Sequence, residues 1–360
     1  MANPYSKHRI RKITRRFGLR PLRSGTVASF YKENAIIQVQ TKTGTYAVKP
    51  FFRNTLLRSS TLNQMKSTAD NIELLINSGF SYMPKWLTTR SGKLWTLHHG
   101  RPFYMTEWIK GRNLETTEDY EELGRALATL HMIPSGHLDT KGPFTRKQIQ
   151  LWKIQDSLFR TRMEKAIHKH EGNRNWYKKY GKYCKRLTDQ AWAHLSSPEI
   201  EDLLEKESER PTLIHNDITS PNVIISEKGQ LFIIDWDRVK VGSIYVDLAK
   251  ALMNTTQFNP DFILALLKGY EERRPLDETE RKLIWYLYGL PREAWHATRF
   301  PNRSRSREML NILEQTWHPR LKAMELLDEW TKSIPKENEH ENVQEVVQED
   351  AHNDVHDVTG

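Results

Sequence analysis

With one cysteine in 360 residues, Cys184, the chain can form neither an intrachain disulfide nor a multi-cysteine zinc site. A reducing compartment during synthesis fits that composition. Long apolar runs are missing too. Stretches such as 231–234 and 263–267 fall far short of the roughly 18 to 20 apolar residues that cross a bilayer, so no membrane span is expected. The first thirty residues hold no apolar h-region and no small-residue cleavage site. Synthesis in the cytoplasm without a signal peptide is the expectation. The 14 histidines include pairs such as His98 and His99, or His168 and His170, but without the spacing or accompanying ligands of a metal motif.

Acids are absent from the first 32 positions, where nine Lys or Arg stand, and abundant in the last 25, where eight acids face only Lys336. The tail therefore carries −7 and the rest of the chain +17, against a total of +10. Such polarity suits acidic or polyanionic partners, or a solubilising arm and tail that touch each other. No zinc finger, basic zipper or RNP-type signature accompanies the charge, which argues against nucleic acid. With 38% apolar, 10% aromatic and 28% charged residues, the composition is globular, and the length suits roughly two domains.

The pattern along the chain divides it into a strand-rich beginning and a helical remainder. Thr26 to Tyr31, Ala35 to Gln40 and Thr45 to Val48 read as antiparallel strands, the last two joined by a Lys-Thr-Gly turn at 42–44. Leu62, Met65, Ala69, Ile72 and Ile76 then mark one face of a helix ending near Gly79. Strand character returns at 94–97 and 103–108. A five-stranded sheet with one helix is expected. After Gly111 the periodicity is helical, apart from one hairpin-like segment at 213–237, and beyond Pro335 the apolar density collapses. The expected divisions are a basic arm over 1–20, a nucleotide-binding lobe over 21–108, a catalytic and substrate lobe over 109–334 and a disordered acidic tail over 335–360.

Chemistry is concentrated at Leu213-Ile-His-Asn-Asp-Ile-Thr-Ser-Pro-Asn-Val-Ile-Ile, followed after a Lys-Gly turn by Leu231-Phe-Ile-Ile-Asp-Trp-Asp. Phosphoryl transfer gives each part a reason: a carboxylate orients a hydroxyl and accepts its proton, while an amide and a second carboxylate hold Mg²⁺ on a triphosphate. Asp217 is the base candidate. Asn222 and Asp235 are the Mg²⁺ candidates, because a hairpin brings its two ends together. His215 reads as an anchor of the loop, and Asp247 as a cap of the following helix that braces it. Asp237 reads either as part of the site or as a turn carboxylate beside Arg238.

Upstream, Ala47-Val48-Lys49 ends the third strand, where a kinase lysine reaches the nucleotide phosphates. Such a lysine wants a carboxylate from the next helix. At about 100° per residue, Glu73 lies roughly 70° from the centre of the apolar stripe and Asp70 roughly 130°. Glu73 is therefore the partner candidate, the alternative being that both acids are solvated. No G-x-G-x-x-G turn lies between the first two strands, where Tyr31-Lys-Glu-Asn34 stands instead, which weakens the expected grip on phosphate.

The run from His215 to Asp247, with Lys49, resembles the aminoglycoside phosphotransferase and choline kinase-like superfamily. Within it, the body including Phe103-Tyr-Met-Thr-Glu-Trp-Ile-Lys-Gly-Arg112 is similar to the CotS/CotI-like family of bacterial spore coat proteins, over about residues 20–330. The resemblance implies an α+β, two-lobed protein kinase-like fold, with a small antiparallel-sheet N-lobe and a larger, mainly helical C-lobe. It further implies an adenine site at a hinge formed by Glu107, Trp108 and Ile109, and a place in the endospore coat among other coat proteins.

The expected function is thus ATP- and Mg²⁺-dependent phosphorylation of a hydroxyl on a small molecule or a coat protein. The alternative is an inactive pseudokinase that assembles coat layers. Acceptor selection falls to the helical lobe, whose basic and aromatic inventory (Arg160, Arg162, Trp152, Trp176, Tyr177, Trp295, Arg299, Arg303 and Arg305) reads either as a site for an anionic or sugar-like acceptor or as a solvated basic surface over core tryptophans.

Overall fold

The computed structural model describes residues 6–29, 32–51, 59–134, 144–169, 173–299 and 304–333. The expected acidic tail, the 30–31 part of the first hairpin, and Arg303 lie outside them. The chain opens with helix α1 (Lys7–Arg16), followed by strands β1 (Arg23–Ser29), β2 (Lys32–Gln40) and β3 (Thr45–Pro50), helix α2 (Ser59–Asn77), and strands β4 (Trp95–His98) and β5 (Arg101–Glu107). The strands form one antiparallel sheet in the order β1-β2-β3-β5-β4.

Residues 7–16, within the expected basic arm, form a helix docked on the sheet. Ser6 caps it by accepting from the Arg9 amide at 3.3 Å, and Gly18 ends it at φ +76°. Its apolar stripe is narrow, only Ile10, Ile13 and Phe17, but all three are buried against Ile37, Val39, Val48, Phe103 and Met105 of the sheet. Charge at the intervening positions hides that stripe in the composition. Helix α1 thus covers one face of the sheet, while Met65, Ile72 and Leu75 of α2 join the larger core that also holds Phe51, Trp86 and Tyr104. Because side chains alternate along a strand, burial of Val48 and Met105 under α1 sends Lys49, Tyr104 and Thr106 to the opposite face.

From Glu107 the chain crosses to β6 (Gly111–Arg112), which pairs with β8 (Val223–Ser226) of a small ribbon completed by β9 (Leu231–Ile233). Gly111 is needed there, since a Cβ at that position would collide with the Ile225 carbonyl. Arg112 makes a two-pronged contact with Asp119, at 2.5 and 3.0 Å, and Asp119 also closes a capping box with Thr116 at the start of α3 (Thr117–His131). The crossing strand is thereby fixed to the first helix of the larger lobe.

That lobe continues with α4 (Phe144–Lys169), α5 (Arg174–His194), α6 (Pro198–Glu209), strand β7 (Thr212–Ile214), and then β8 and β9. Strand β10 (Lys240–Gly242), which pairs with β7, leads into α7 (Ile244–Thr255), α8 (Pro260–Glu271), α9 (Glu278–Gly289), α10 (Arg292–Thr298), α11 (Ser304–Gln315) and α12 (Trp317–Lys332). The expected two-lobed α+β architecture is present. A buried core cluster runs from Phe51 and Trp86 through Leu213, Trp236 and Leu248 to Trp330. No helix of the described residues is long and apolar enough to cross a membrane.

Candidate active site

Two connections run side by side between the β7–β10 pair and the β8–β9 ribbon: the loop 215–222 from β7 to β8, and the turn 234–239 from β9 to β10. Reciprocal bonds lace them together. The Ile234 amide donates to the Asn222 carbonyl at 2.8 Å, and the His215 ring meets the Ile234 carbonyl through Nε2 at 3.1 Å. Asn222 and Asp235 consequently stand at one end of the ribbon, as the hairpin argument requires. His215 is fully buried, T-stacked on Trp236 with ring centroids 4.6 Å apart, and its Nδ1 accepts the Asp217 amide at 3.3 Å. That pattern fixes the tautomer as Nε2–H and makes His215 an anchor of the loop.

Asp235 adopts a left-handed conformation, φ +70°, a region few residues other than Gly, Asn and Asp visit. Across the cleft its Oδ1 lies 2.5 Å from Lys49 Nζ and 3.5 Å from the Tyr104 hydroxyl. Lys49 is 5% exposed and stands opposite Tyr104 in the β3–β5 register. Strand alternation in the small lobe and hairpin closure in the large one thus converge on one ion pair. The same cleft is lined by Ala47, Trp86, Thr106, Glu107, Trp108, Ile109, Ile224 and Ile234, an apolar slot beside a charged end. Glu107 lines it with its side chain exposed, so its contribution is the strand end that turns into the crossing segment.

Glu73 is not brought to Lys49. It is exposed on α2, as is Asp70, and the carboxylate found on Lys49 is Asp235. The buried face of α2 is Met65, Thr68, Ala69, Asn71, Ile72 and Leu75, while Ile76 is exposed. This face is turned by roughly 50° from the stripe read in the sequence, which leaves Glu73 roughly 120° from its centre.

Asp217 is a third exposed, with its carboxylate 3.6 Å from Arg238 Nε. Asn222 directs its side-chain amide to the Asp217 carbonyl at 2.9 Å, which leaves Oδ1 as its ligand atom. Asp237 is buried one residue beyond Trp236. Among the described residues no group of three or more His, Cys, Asp or Glu could hold a metal. The available donors, one carboxylate and one amide oxygen, nevertheless suit Mg²⁺, which keeps several waters and binds through one or two carboxylates plus substrate phosphates.

Behind the loop sits a support that the sequence showed only in part. Asp247, fully buried, accepts the His215 amide at 3.0 Å and the Asn216 amide at 2.9 Å, and meets His131 Nε2 at 3.4 Å. It braces the loop as expected but does not cap its helix. Ser243 is the N-cap of α7, accepting from the Val246 amide. His131 passes the chain of bonds on to the Tyr270 hydroxyl at 2.9 Å. Burial holds both His131 and His215 below the ordinary histidine range. Asp247 is held below the carboxylate range against its own burial by His131 and its other neighbours. Nothing in the sequence marks His131, which ends a leucine-striped helix.

Lys250 was also missed. Its ammonium reaches Asn216 Oδ1 at 3.1 Å, on a residue held at φ +65° beside Asp217. Burial, then Arg292, pull its pKa down to about 8. Four of the nine residues in the acceptor inventory read from sequence have other employment. Arg160 is engaged by Asp156 and Asp189, Trp176 and Tyr177 are buried against one another, and Trp295 stacks near Trp192.

The fold has known counterparts. The crystal structure of an aminoglycoside phosphotransferase from Alicyclobacillus acidocaldarius superposes with a TM-score of 0.76 at 15% identity, covering 90% of this chain and 96% of that one. Spectinomycin phosphotransferase, in complex with ADP and spectinomycin, gives a TM-score of 0.63 at 16% identity, covering 92% of this chain and all of its own. Both share the fold. The sequence pattern of the phosphotransferase enzyme family matches residues 32–283, well over half the chain, and the protein belongs to that family.

Proposed function

We propose that the protein binds MgATP in the cleft between the two lobes and transfers its γ-phosphoryl group to a hydroxyl. The observation that carries this reading is the ion pair between Lys49 and Asp235, which joins a strand of the sheet to the end of the ribbon that also presents Asn222. In it Lys49 holds nucleotide phosphate, the apolar slot at Glu107, Trp108 and Ile109 takes the adenine, and Asn222 and Asp235 hold Mg²⁺. The ion, when bound, neutralises charge on the phosphates. Asp217 orients the acceptor hydroxyl. As the acceptor oxygen bonds to the γ-phosphorus, the bond to the β,γ-bridging oxygen breaks, ADP leaves with that electron pair, and the hydroxyl proton passes to the Asp217 carboxylate.

Titration with MgATP tests the nucleotide half. A ligand bound by the folded state alone stabilises it by mass action, so the melting temperature should rise by several degrees at saturating MgATP. Lys49→Met should abolish that rise, because it removes the ammonium that meets the phosphates. A protein indifferent to MgATP would be a pseudokinase scaffold. The resemblance of residues 103–112 to the CotS/CotI-like family supports a place in the endospore coat beside other coat proteins. Detection of the protein in fractionated spores only outside the coat would refute that part.

A further inference from the structure

A second depression, a groove of about 810 Å³, lies at the edge of the small lobe's sheet and shares no lining residue with the Lys49 cleft. Helix α1 lines it with Lys12, Arg15 and Arg16, and the turn 89–93 lines it with Arg90 and Lys93. The third side is β4, an edge strand in the sheet order. Trp95, Thr96, Leu97 and His98 all line the groove, as consecutive residues can at an edge but not on one face of a strand. Helix and turn are fastened together, because the Arg90 amide donates to the Arg16 carbonyl at 3.0 Å. Thr89 closes the turn: its amide donates to the Lys93 carbonyl at 2.8 Å, and its hydroxyl accepts the Lys93 amide at 3.1 Å. The backbone beneath the cations is thus fixed.

All five cations are exposed, and among the described residues none of them forms an ion pair. Lys93 lies 5.7 Å over the ring of Trp95. The carbonyl end of α1 accounts for Arg15 and Arg16, but not for Lys12, Arg90 or Lys93. No carboxylate lines the groove. Acids make up 45 of the 360 residues, one in eight, yet the segments 1–32 and 74–106 contain none in 65 residues, where that rate gives about eight. Folded surfaces ordinarily intersperse the two signs, and a cleft of one sign concentrates its field on a partner of the other. Exposed Leu97 and half-buried Trp95 add apolar surface. An acidic chain with apolar residues among its acids fits such a groove.

We infer that the groove is the docking site of this chain's own acidic segment, residues 337–358, in which eight acids are interspersed with Val343, Val346, Val347, Val355 and Val358. The described chain ends at Ser333, just after α12, and the segment can reach. Trp330 of α12 lines the same surface pocket as Thr117 and Glu121 of α3. Glu122, the next residue, accepts the Tyr82 hydroxyl at 2.7 Å, and Tyr82 stands eight residues before Arg90, at most about 30 Å of chain. The whole path is on the order of 50 Å, whereas residues 334–360 extend over about 90 Å. Tethering supplies a local concentration on the order of millimolar, so the segment of the same molecule takes precedence over that of a second copy. The docking is independent of the phosphoryl-transfer reading, since groove and cleft have no residue in common.

The test is carbodiimide coupling of the full-length protein, which joins a lysine to a carboxylate in contact with it, followed by peptide mass spectrometry. Lys12 and Lys93 should couple to acids of 337–358 at about 50 mM salt. The yield should fall about fivefold or more at 1 M, where the screening length is about 3 Å. The pairs Lys332–Asp328 and Lys268–Glu121, at 2.6 and 2.7 Å, serve as internal standards. In an equal mixture of unlabelled and ¹⁵N-labelled protein the links should join peptides of one isotope only. Arg16→Ser combined with Arg90→Ser removes two exposed cations, touches neither lysine, and should lower both links about fivefold at low salt. Should that variant fail to fold, the salt series on the unaltered protein decides. Links of mixed isotope would give the groove to a second copy and overturn the proposal. So would coupling of the acidic segment mainly to other lysines, no coupling while both standards form, or links indifferent to salt. Absence of the MgATP-induced rise in melting temperature would instead overturn the kinase reading and leave this one standing.

Discussion

Asp217→Asn should lower the rate of phosphoryl transfer about 10²- to 10⁴-fold, the usual contribution of a positioned general base, while leaving MgADP affinity nearly untouched. The substitution keeps the shape of the side chain and removes its ability to take a proton. It also leaves the backbone bonds of the loop in place, since the Asp217 amide donates to His215 and its carbonyl accepts from Asn222. The contact to Arg238 is lost, but at 3.6 Å, with the arginine 60% exposed, such a pair contributes about 0 to 1 kcal/mol. The melting temperature should therefore barely move. Transfer of labelled γ-phosphate to whichever hydroxyl compound the parent protein phosphorylates measures the rate. A variant as fast as the parent would remove Asp217 from the chemistry and send the search to another carboxylate.

The selectivity of that prediction follows from how the site is divided. In the proposed reading, nucleotide contacts depend on β3, β5 and the end of β9, whereas proton acceptance depends on the loop after β7. Asp235→Asn would act on both, because that carboxylate pairs with Lys49 and is also a proposed Mg²⁺ ligand. Asp217 alone can be altered without disturbing the ion pair between the lobes.

The sequence showed the parts whose chemistry is local. The spacing of His215, Asp217 and Asn222, and the strand that ends in Asp235, follow from a hairpin that needs nothing beyond its own turn and alternation. Lys49 was legible as the lysine of Ala47-Val48-Lys49 at the end of the third strand. Non-local contacts decided what was missed. Glu73 was placed by a stripe that included Ile76, but Ile76 is 42% exposed and Leu75 is buried. A rotation of half a residue spacing is below what periodicity resolves, yet it is enough to part the glutamate from the lysine. Helix α1 was hidden because three apolar residues among its cations look like a solvated arm until the sheet they cover is known. His131 and Lys250 carry no motif at all. Their roles arise from α3 and α7 meeting behind one loop.

That meeting point is where the largest loss of stability is expected. Asp247→Ala should destabilise the protein by about 3 to 5 kcal/mol, the range for removing one partner from a buried charged network. The methyl group leaves the His215 and Asn216 amides and the His131 ring facing a void, and each orphaned buried donor costs about 1 to 3 kcal/mol. The linkage has a definite sign. His131 and His215 are held below the ordinary histidine value of about 6.5, so below that pH the unfolded chain binds protons that the folded one does not. Their contribution is complete above it and declines as pH falls. Asp247 is also held below its ordinary value, so its share is complete above the carboxylate range and is lost at still lower pH. Urea denaturation at a series of pH values should thus show the parent weakening in two stages. The alanine variant should start from a lower plateau and keep the histidine stage with a smaller acid stage, since it retains both rings and lacks one of several carboxylates held below their ordinary value. A loss below about 1 kcal/mol at neutral pH, the range of ordinary surface changes, would mean that the loop is held by its bonds to Ile234 and its stacking on Trp236 and not by Asp247.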